Sequence, residues 1–137
     1  MQLIVTDICS NNPVTLEVHE TLYSARNILI KYNISRVVIL KDKESKKPVG
    51  IITEKDISKF LYSTFTEKRL SEILIKDIMT KKLITVDMNS PIDESIKIML
   101  DNNISSIIVT DNEGHHKGII TKTDIVEYCA YHVKKYI

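Results

Sequence analysis

The sequence predicts a mixed α/β (α+β) fold made of two β-α-β-β-α repeats that pack sheet to sheet with pseudo-two-fold symmetry. Three observations support this prediction: the chain duplicates itself, each copy passes through the same order of patterns, and one copy of about 60 residues is too small to bury a generous core alone. The 137 residues are 43% hydrophobic and 27% charged, which suits compact globular structure. We place a first domain with a linker helix at residues 1–66 and a second domain at residues 67–137.

The duplication keeps its register. Residues 77–105 echo residues 7–35 at a constant offset of 70 positions. Further on, an octet that reads Gly-Ile-Ile-Thr-x-x-Asp-Ile starts at Gly50 and again at Gly118, an offset of 68. The two missing residues fall in a surface turn, which tolerates such a change. This turn occupies residues 41–48 in the first copy and 111–114 in the second, and its turn-forming residues predict a hairpin in each copy.

Each copy begins with a short strand that gives way to a helix. Residues 13–16 are β-prone, and apolar side chains then recur at helical spacing at Leu22, Ala25, Ile28, Leu29 and Tyr32. In the second copy Ser90 is expected to cap the helix, with Pro91 at its first position. The buried stripe of this helix is predicted to be Ile92, Ile96, Met99 and Leu100.

Two apolar, β-branched runs follow each of these helices, at residues 36–40 with 49–52 and at 106–109 with 118–120. Such runs, bounded by turn signals, predict a pair of strands. A final helix follows each pair, and residues 58–74 carry the chain from one copy to the next. This completes the β-α-β-β-α order in both copies.

Charge and composition narrow the classes of function. The chain has 19 Lys and Arg against 18 Asp and Glu, and this net charge of +1 provides no field that would recruit nucleic acid or an anionic membrane. No apolar run approaches the roughly 20 residues that span a bilayer, and the N-terminus lacks a signal-peptide pattern. We therefore expect a soluble, cytoplasmic protein without a membrane or nucleic-acid partner.

No residue pattern points to catalysis or to a metal. Cys9 and Cys129 lie far apart without metal spacing, and we expect both thiols to be buried. His115 and His116 are expected to form a solvent-exposed pair in the turn. The chain lacks a glycine-rich phosphate loop and a histidine with a nucleophile beside it. Binding without turnover is the simplest function, with no catalytic residue, metal or catalytic cofactor.

The duplicated Thr-x-x-Asp segments, residues 53–56 and 121–124, lie where a strand gives way to a helix. This is the sequence pattern of a capping box, which needs no ligand. The same place also suits a ligand, because a helix N-terminus has unpaired N–H groups that favour phosphate, and an Asp carboxylate can accept two hydrogen bonds from a ribose diol. The two interpretations are compatible, since the hydroxyl can cap the helix in the empty state and face a ligand once it binds.

Several segments in a fixed order carry a family resemblance. They are Ile-Lys-Asp-Ile-Met-Thr at residues 75–80, Leu-Ile-Thr-Val at 83–86, Asn-Ile-Ser-Ser-Ile-Ile-Val at 103–109, and the octet present twice. With these segments the chain resembles a tandem pair of CBS domains, the regulatory module named after cystathionine β-synthase, standing alone. The first copy has Cys9-Ser10 where the second has Met79-Thr80, and it has no Asp after Leu40. We expect neither departure to touch a ligand position.

The resemblance implies two adenosine sites in the cleft between the copies, each with the Thr and Asp of one copy and adenine-contacting residues of the other. Carried over by position, site one consists of Val14, Thr15, Ile34, Arg36, Thr121 and Asp124. Site two consists of Thr53, Asp56, Ile84, Thr85, Ile104 and Ser106. Arg36 and Ser106 are equivalent positions, and only an Arg offers a charged donor array for phosphate. Unless Arg36 is simply a solvated residue, site one is expected to be the stronger and to prefer a phosphorylated ligand.

The resemblance further implies a regulatory module that senses AMP, ADP, ATP or S-adenosylmethionine, as in energy sensing, and signals to an effector protein through a conformational shift. It also implies a homodimer, with pairing expected on helix faces that contain Phe60, Leu61, Phe65, Tyr128 and Tyr131. Two other functions stay open. One is a dimerisation scaffold in which the Thr-x-x-Asp segments only cap helices. The other is a nucleic-acid-binding protein that uses Lys81, Lys82, Lys117, Lys122, Lys134 and Lys135.

Overall fold

The computed structural model describes residues 3–11, 14–64 and 67–132. The elements of the first repeat are β1 (Thr15–Glu17), α1 (Leu22–Lys31), β2 (Arg36–Leu40), β3 (Pro48–Thr53) and α2 (Glu54–Ser63). Those of the second are β4 (Thr85–Asp87), α3 (Ile92–Asn102), β5 (Ser106–Thr110), β6 (His116–Thr121) and α4 (Lys122–His132). The β-α-β-β-α order is therefore confirmed in both repeats.

Each repeat forms its own three-stranded sheet, in the order β1-β2-β3 and β4-β5-β6. The first strand of each sheet is parallel to the second, and the second is antiparallel to the third. The predicted hairpins are thus confirmed as β2-β3 and β5-β6. Because of these directions, the first and second strands of each sheet begin, and the third strand ends, on the same side of the sheet. We call this side, where the strand termini meet, the β3–α2 edge in the first repeat and the β6–α4 edge in the second. The helices α2 and α4 begin at these edges.

The structure divides into two compact units that do not coincide with the repeats. One unit is Val14–Leu83, and the other joins Met1–Pro13 to Ile84–Ile137. In the second unit the Val5 N–H donates to the Ser90 carbonyl at 2.8 Å. In the first, the Ile75 N–H donates to the Glu20 carbonyl at 3.0 Å. The segment that precedes each repeat in sequence thus packs in the unit of the other repeat, and the sequence domains 1–66 and 67–137 stay predictions.

Each unit has its own apolar core. In the unit Val14–Leu83 the buried cluster consists of Leu16, Leu22, Ala25, Leu29, Val37, Ile39, Ile52, Ile73 and Ile75. In the other unit it consists of Val5, Val86, Met99, Ile107, Val109 and Ile120. We call the segment that precedes each repeat in sequence the incoming segment of the unit in which it packs. The incoming segments contribute Ile73, Ile75 and Val5. Each core is thus completed by side chains that lie outside the repeat that forms its sheet.

The start of α3 differs from the prediction. Pro91 is the N-cap rather than the first helical residue, and Ser90 makes no capping bond. Instead, the Ile92 N–H donates to the Leu3 carbonyl at 3.2 Å, and Ile4 forms a β-bridge with Pro91. A backbone carbonyl of the N-terminal segment thus satisfies an N–H that a side chain would otherwise cap.

The buried stripe of α3 also differs in part. Ile92 and Met99 are buried as expected, but Leu100 is 71% exposed, and the fully buried Ser95 takes a place in the core-facing row. The Ser95 hydroxyl donates to the Ile92 carbonyl at 2.7 Å, which satisfies its polar atom within the helix. In α1, Leu22, Ala25 and Leu29 are buried as predicted, whereas Tyr32 follows the last helical turn and is 48% exposed.

Asparagines end the first helix of each repeat. Asn33 and Asn103 adopt left-handed backbone conformations, with φ of 50° and 51°. Asn tolerates this conformation better than most residues, and a left-handed residue commonly terminates a helix. The duplicated Asn-Ile-Ser segment is therefore explained by the turn that leads from α1 into β2 and from α3 into β5.

The second hairpin turn is organised by Asp111. Its Oδ1 accepts the backbone N–H groups of Glu113 and His115, both at 2.9 Å. These bonds, the one from His115 foremost, lower the pKa of the Asp111 carboxyl. His115 lies 3.3 Å from Asp111 through Nδ1, and both His115 and His116 are partly buried. The expectation of an exposed histidine pair is thus wrong, because His115 is held against Asp111 in the turn and His116 begins strand β6, where it is partly buried.

The two thiols are placed differently from each other. Cys9 is partly buried, whereas Cys129 is exposed on α4. The expectation that both are buried is therefore wrong for Cys129, because α4 turns this position away from the core. Of the residues proposed for dimer pairing, Leu61 is exposed, Phe60 and Tyr128 are partly buried, and Phe65 and the side chain of Tyr131 lie outside the described part.

Candidate functional site

The junction of β3 with α2 is built by the first Thr-x-x-Asp segment. The Asp56 N–H donates to the Thr53 Oγ1 at 3.0 Å, and the Thr53 N–H donates to the Asp56 Oδ2 at 3.0 Å. This reciprocal pair is a capping box, which satisfies two N–H groups at the helix start. The capping role deduced from the sequence is therefore confirmed for the β3–α2 junction.

The junction of β6 with α4 has the same construction. The Asp124 N–H donates to the Thr121 Oγ1 at 3.1 Å, and the Thr121 N–H donates to the Asp124 Oδ2 at 2.8 Å. Each Asp thus binds its own backbone through Oδ2, which leaves Oδ1 as the oxygen that a further donor can use. Both carboxyls are partly buried, so the surroundings of Oδ1 decide what each junction can bind.

The two carboxylates have different neighbours. The Thr80 Oγ1 lies 3.3 Å from the Asp56 Oδ1 and 3.4 Å from its Oδ2. The residue equivalent to Thr80 is Ser10, which instead donates to the Ile119 carbonyl at 3.1 Å. Among the described residues, Asp124 Oδ1 accepts no hydrogen bond. The departure at Cys9-Ser10 was expected to leave the ligand positions untouched, but the structure places Cys9 close to Asp124, one of the predicted ligand residues.

Cys9 lies close to Asp124. Partial burial raises the pKa of the Cys9 thiol, and the negative charge of Asp124 raises it further. The thiol is therefore protonated at neutral pH and is a weak nucleophile there. This position is equivalent to Met79 in the other unit, where the side chain is a longer thioether.

The glycine of each octet lets the incoming segment approach the last strand of the sheet. A Cβ at Gly118 would overlap the Ser10 carbonyl oxygen and lie 3.4 Å from the Cys9 Sγ. A Cβ at Gly50 would overlap the Met79 Sδ and lie 2.9 Å from its Cγ. Gly118 thus makes room for the backbone of Ser10, and Gly50 makes room for the side chain of Met79.

The remaining predicted residues of site one lie at the β3–α2 edge of their unit. Val14 precedes β1, and Thr15 and Ile34 are partly buried nearby in the fold, at the starts of the parallel strands. Arg36 is the register partner of Thr53, and its Nε donates to the Ser35 Oγ at 3.3 Å. The structure thus places Arg36 next to Thr53.

The remaining predicted residues of site two, Ile84, Thr85, Ile104 and Ser106, occupy the equivalent edge of the other unit. Ile84 and Ile104 are partly buried and Thr85 is exposed. Ser106 is the register partner of Thr121, as Arg36 is of Thr53. The twelve predicted residues therefore fall into two groups of six, one at each sheet edge. The pairing of Asp124 with Arg36 combines residues of different units and stays a prediction.

Thr80 is a neighbour of the site that the sequence did not identify. It stands two residues after the duplicated Asp-Ile, in the pair Met79-Thr80 where the copies differ, and this difference was the available signal. In the described ranges 3–11, 14–64 and 67–132, no group of three or more His, Cys, Asp or Glu is arranged to hold a metal. Nor does that part of the chain contain a helix of the length and apolarity needed to cross a membrane.

Comparison with known proteins assigns the family. The sequence profile of the CBS domain matches residues 5–63 and 75–131. An uncharacterised protein of Methanopyrus kandleri, MK0525, is 32% identical over 125 residues, which cover 91% of this chain and 59% of that protein. Inosine-5′-monophosphate dehydrogenase of Staphylococcus haemolyticus is 37% identical over 115 residues, 83% of this chain but 22% of the enzyme.

A solved structure agrees with the sequence matches. The crystal structure of the CBS domain pair of protein MJ0100, in complex with 5′-methylthioadenosine and S-adenosyl-L-methionine, superposes with a TM-score of 0.80 at 34% identity. The alignment covers 95% of this chain and 98% of that pair. The two profile matches and this agreement of fold confirm the resemblance found in the sequence: the chain belongs to the CBS domain family and contains two CBS domains.

Proposed function

We propose that this CBS domain pair is a regulatory module that binds an adenosine-containing ligand and catalyses no reaction of its own. The observation that carries the proposal is the Thr-Asp pair that recurs at both strand-to-helix junctions, in a chain 34% identical to a CBS pair crystallised with two adenosine derivatives. The chain spans 59% of the M. kandleri relative and 22% of the dehydrogenase, so the wider activities of those proteins are not transferred.

The chemistry of the β6–α4 junction suits a ribose. The Asp124 Oδ2 is occupied by the Thr121 N–H at 2.8 Å, so a ribose hydroxyl would donate to Oδ1 while the cap stays in place. Bonds from a hydroxyl to a carboxylate are stronger than those between neutral groups. The N-terminus of α4 also favours an anionic group nearby. We therefore place the stronger binding event at Asp124.

The pairing of residues is the finer part of the proposal. Site one combines Thr121 and Asp124 with Arg36 as the phosphate-binding residue, together with Val14, Thr15 and Ile34. Site two combines Thr53 and Asp56 with Ile84, Thr85, Ile104 and Ser106. The position of Arg36 beside Thr53 in the strand register raises a competing assignment, in which Arg36 serves the Asp56 event. AMP, ADP, ATP and S-adenosylmethionine are the candidate ligands, and a homodimer and an effector protein are the proposed partners.

A ligand panel tests the proposal. Thermal unfolding is followed with AMP, ADP, ATP, S-adenosylmethionine and 5′-methylthioadenosine, because a ligand at one hundred times its Kd adds about 2.7 kcal/mol to the free energy of unfolding. A rise in Tm with at least one compound supports binding. If none of the five raises Tm at millimolar concentration, the proposal fails and the capping boxes are purely structural.

Variants then test the residue assignment by titration calorimetry. Asp124→Asn keeps a side-chain oxygen for the cap but removes the negative charge, and we expect it to weaken the stronger event about 10-fold or more. Arg36→Ala is expected to weaken the same event. Asp93→Asn is the matched control, since Asp93 is an exposed acidic residue in the first turn of α3. If Arg36→Ala instead weakens only the event that Asp56→Asn removes, the competing assignment is correct.

A further inference from the structure

The two repeats place a hydroxyl side chain at equivalent backbone positions. Thr80 exchanges backbone hydrogen bonds with Ile51, at 2.8 Å and 3.0 Å. Ser10 exchanges them with Ile119, at 3.0 Å and 3.1 Å. The backbone of each incoming segment is thus fixed in the same way against the last strand of the sheet, directly next to the capped Asp of its unit.

The hydroxyls nevertheless point to different acceptors. The Thr80 Oγ1 lies 3.3 Å and 3.4 Å from the two oxygens of Asp56. The Ser10 Oγ donates to the Ile119 carbonyl at 3.1 Å, and among the described residues it makes no bond to Asp124. The hydroxyl of Thr80 therefore lies where a donor to Asp56 would stand, whereas the hydroxyl of Ser10 is engaged by the Ile119 carbonyl.

We propose that Thr80 is a specificity-determining residue that weakens ligand binding at Asp56, because its hydroxyl competes with a ribose hydroxyl for the carboxylate. This inference rests on the proposed function and extends it. It gives a cause for unequal sites that lies in the segment before the second repeat, and it is independent of the difference between Arg36 and Ser106. Because the contact is long for an O–H···O bond, the competition is modest.

The test compares Thr80→Val with Ser10→Ala by titration calorimetry, with 5′-methylthioadenosine as the probe. Thr80→Val removes the hydroxyl and keeps the branched shape, and the position is exposed, so the fold tolerates it. Each variant is measured in a background that weakens ligand binding at the other junction. Thr80→Val is combined with Asp124→Asn, and Ser10→Ala is combined with Asp56→Asn. We expect Thr80→Val to strengthen ligand binding roughly 3- to 10-fold, because the ligand then no longer has to replace the hydrogen bond between Thr80 and Asp56. Ser10→Ala should change ligand binding by less than about twofold.

A second probe separates competition from a general structural effect. With the 2′-deoxy form of 5′-methylthioadenosine the ribose loses one of its two donors, so the gain from Thr80→Val should shrink or vanish. An unchanged or weakened affinity in Thr80→Val overturns the inference, the latter because Thr80 would then be a ligand contact. A gain of equal size with the 2′-deoxy probe also overturns it. If the wild-type protein binds neither the probe nor any panel compound, the proposed function fails and the inference falls with it.

Discussion

Gly118→Ala should destabilise the protein more than Gly50→Ala, although the two glycines are equivalent positions in the duplicated octet. A methyl group at Gly118 overlaps the carbonyl oxygen of Ser10, which is backbone. That backbone is held by two hydrogen bonds to Ile119, at 3.0 Å and 3.1 Å, so it cannot recede without weakening them. A methyl group at Gly50 meets side-chain atoms of Met79 from Cγ to Cε, and this flexible side chain can turn to another rotamer.

The magnitudes follow from these contacts. At Gly118, overpacking costs about 1–3 kcal/mol and the weakening of one backbone bond adds about 0.5–1.5 kcal/mol. Ala also lowers the conformational entropy of the unfolded chain, which offsets about 0.4–1 kcal/mol of this cost. The free energy of unfolding should therefore fall by about 2 kcal/mol. At Gly50, a displaced Met79 rotamer costs about 0.5–1.5 kcal/mol, which the same entropy effect largely offsets. The expected difference between the variants is therefore about 1.5–2 kcal/mol.

Urea unfolding followed by far-UV circular dichroism measures this difference. With an m value of about 1–3 kcal/mol per molar urea, a loss of 2 kcal/mol lowers the midpoint by roughly 1 M. Gly50→Ala is the matched control, since it makes the same chemical change at the equivalent position. A midpoint for Gly50→Ala that is equal to or lower than that of Gly118→Ala would show that the rigidity of the facing atom does not decide the outcome.

Three further outcomes are expected. Hydrogen bonds lower the pKa of Asp111 in the folded protein, so its negative charge stabilises the fold above the ordinary pKa, and this stabilisation disappears as the pH falls through the lowered value. Asp111→Asn should therefore lower Tm at pH 7 and lower it less near pH 3. An equal loss of Tm at both pH values would contradict this. Ellman's reagent should react quickly with the exposed Cys129 and slowly with Cys9, whose thiol pKa is raised; a fast reaction that survives Cys129→Ser would refute this order. Ser95→Leu should lower the free energy of unfolding by about 1–3 kcal/mol, since it overfills a fully buried position, and a rise in Tm would show that the helix shifts to accept the larger side chain.

Local patterns predicted most of the fold because they report interactions between residues close in sequence. The Thr-x-x-Asp segments fixed the starts of α2 and α4, since both partners of a capping box lie within one turn. The turn residues likewise predicted both hairpins. The start of α3 was missed by one residue because the donor at Ile92 is satisfied by Leu3, which lies far away in sequence. Periodicity carries no information about such a partner.

In the candidate site, too, the contacts between residues close in sequence could be predicted and the contacts between distant residues could not. Each Asp and its Thr could be found from the sequence, because the capping bonds are local. The contact of Thr80 with Asp56 joins residues 24 apart and depends on how the segment before the second repeat packs. The same packing buries Val5 and Ile75, whose apolar character alone does not say which sheet they cover. The sequence thus identifies the capping Thr and Asp of each repeat and misses the groups that the incoming segment brings to them.

The capping bonds connect ligand binding to the stability of the helix that carries the carboxylate. At Asp124 the oxygen that holds the Thr121 N–H is distinct from the one left for a ligand, so both bonds can exist at once. A ligand that binds there restrains the Asp124 side chain, and this restraint supports the start of α4. By linkage, the free energy with which a bound ligand would stabilise this helix start equals the free energy with which an ordered helix start would strengthen ligand binding. If the proposed competition operates, a ligand at Asp56 must first displace Thr80, so part of its binding energy is lost before the helix start is affected. We thus expect a responsive junction at Asp124 and a weaker one at Asp56, with the difference set by the segment that precedes each repeat.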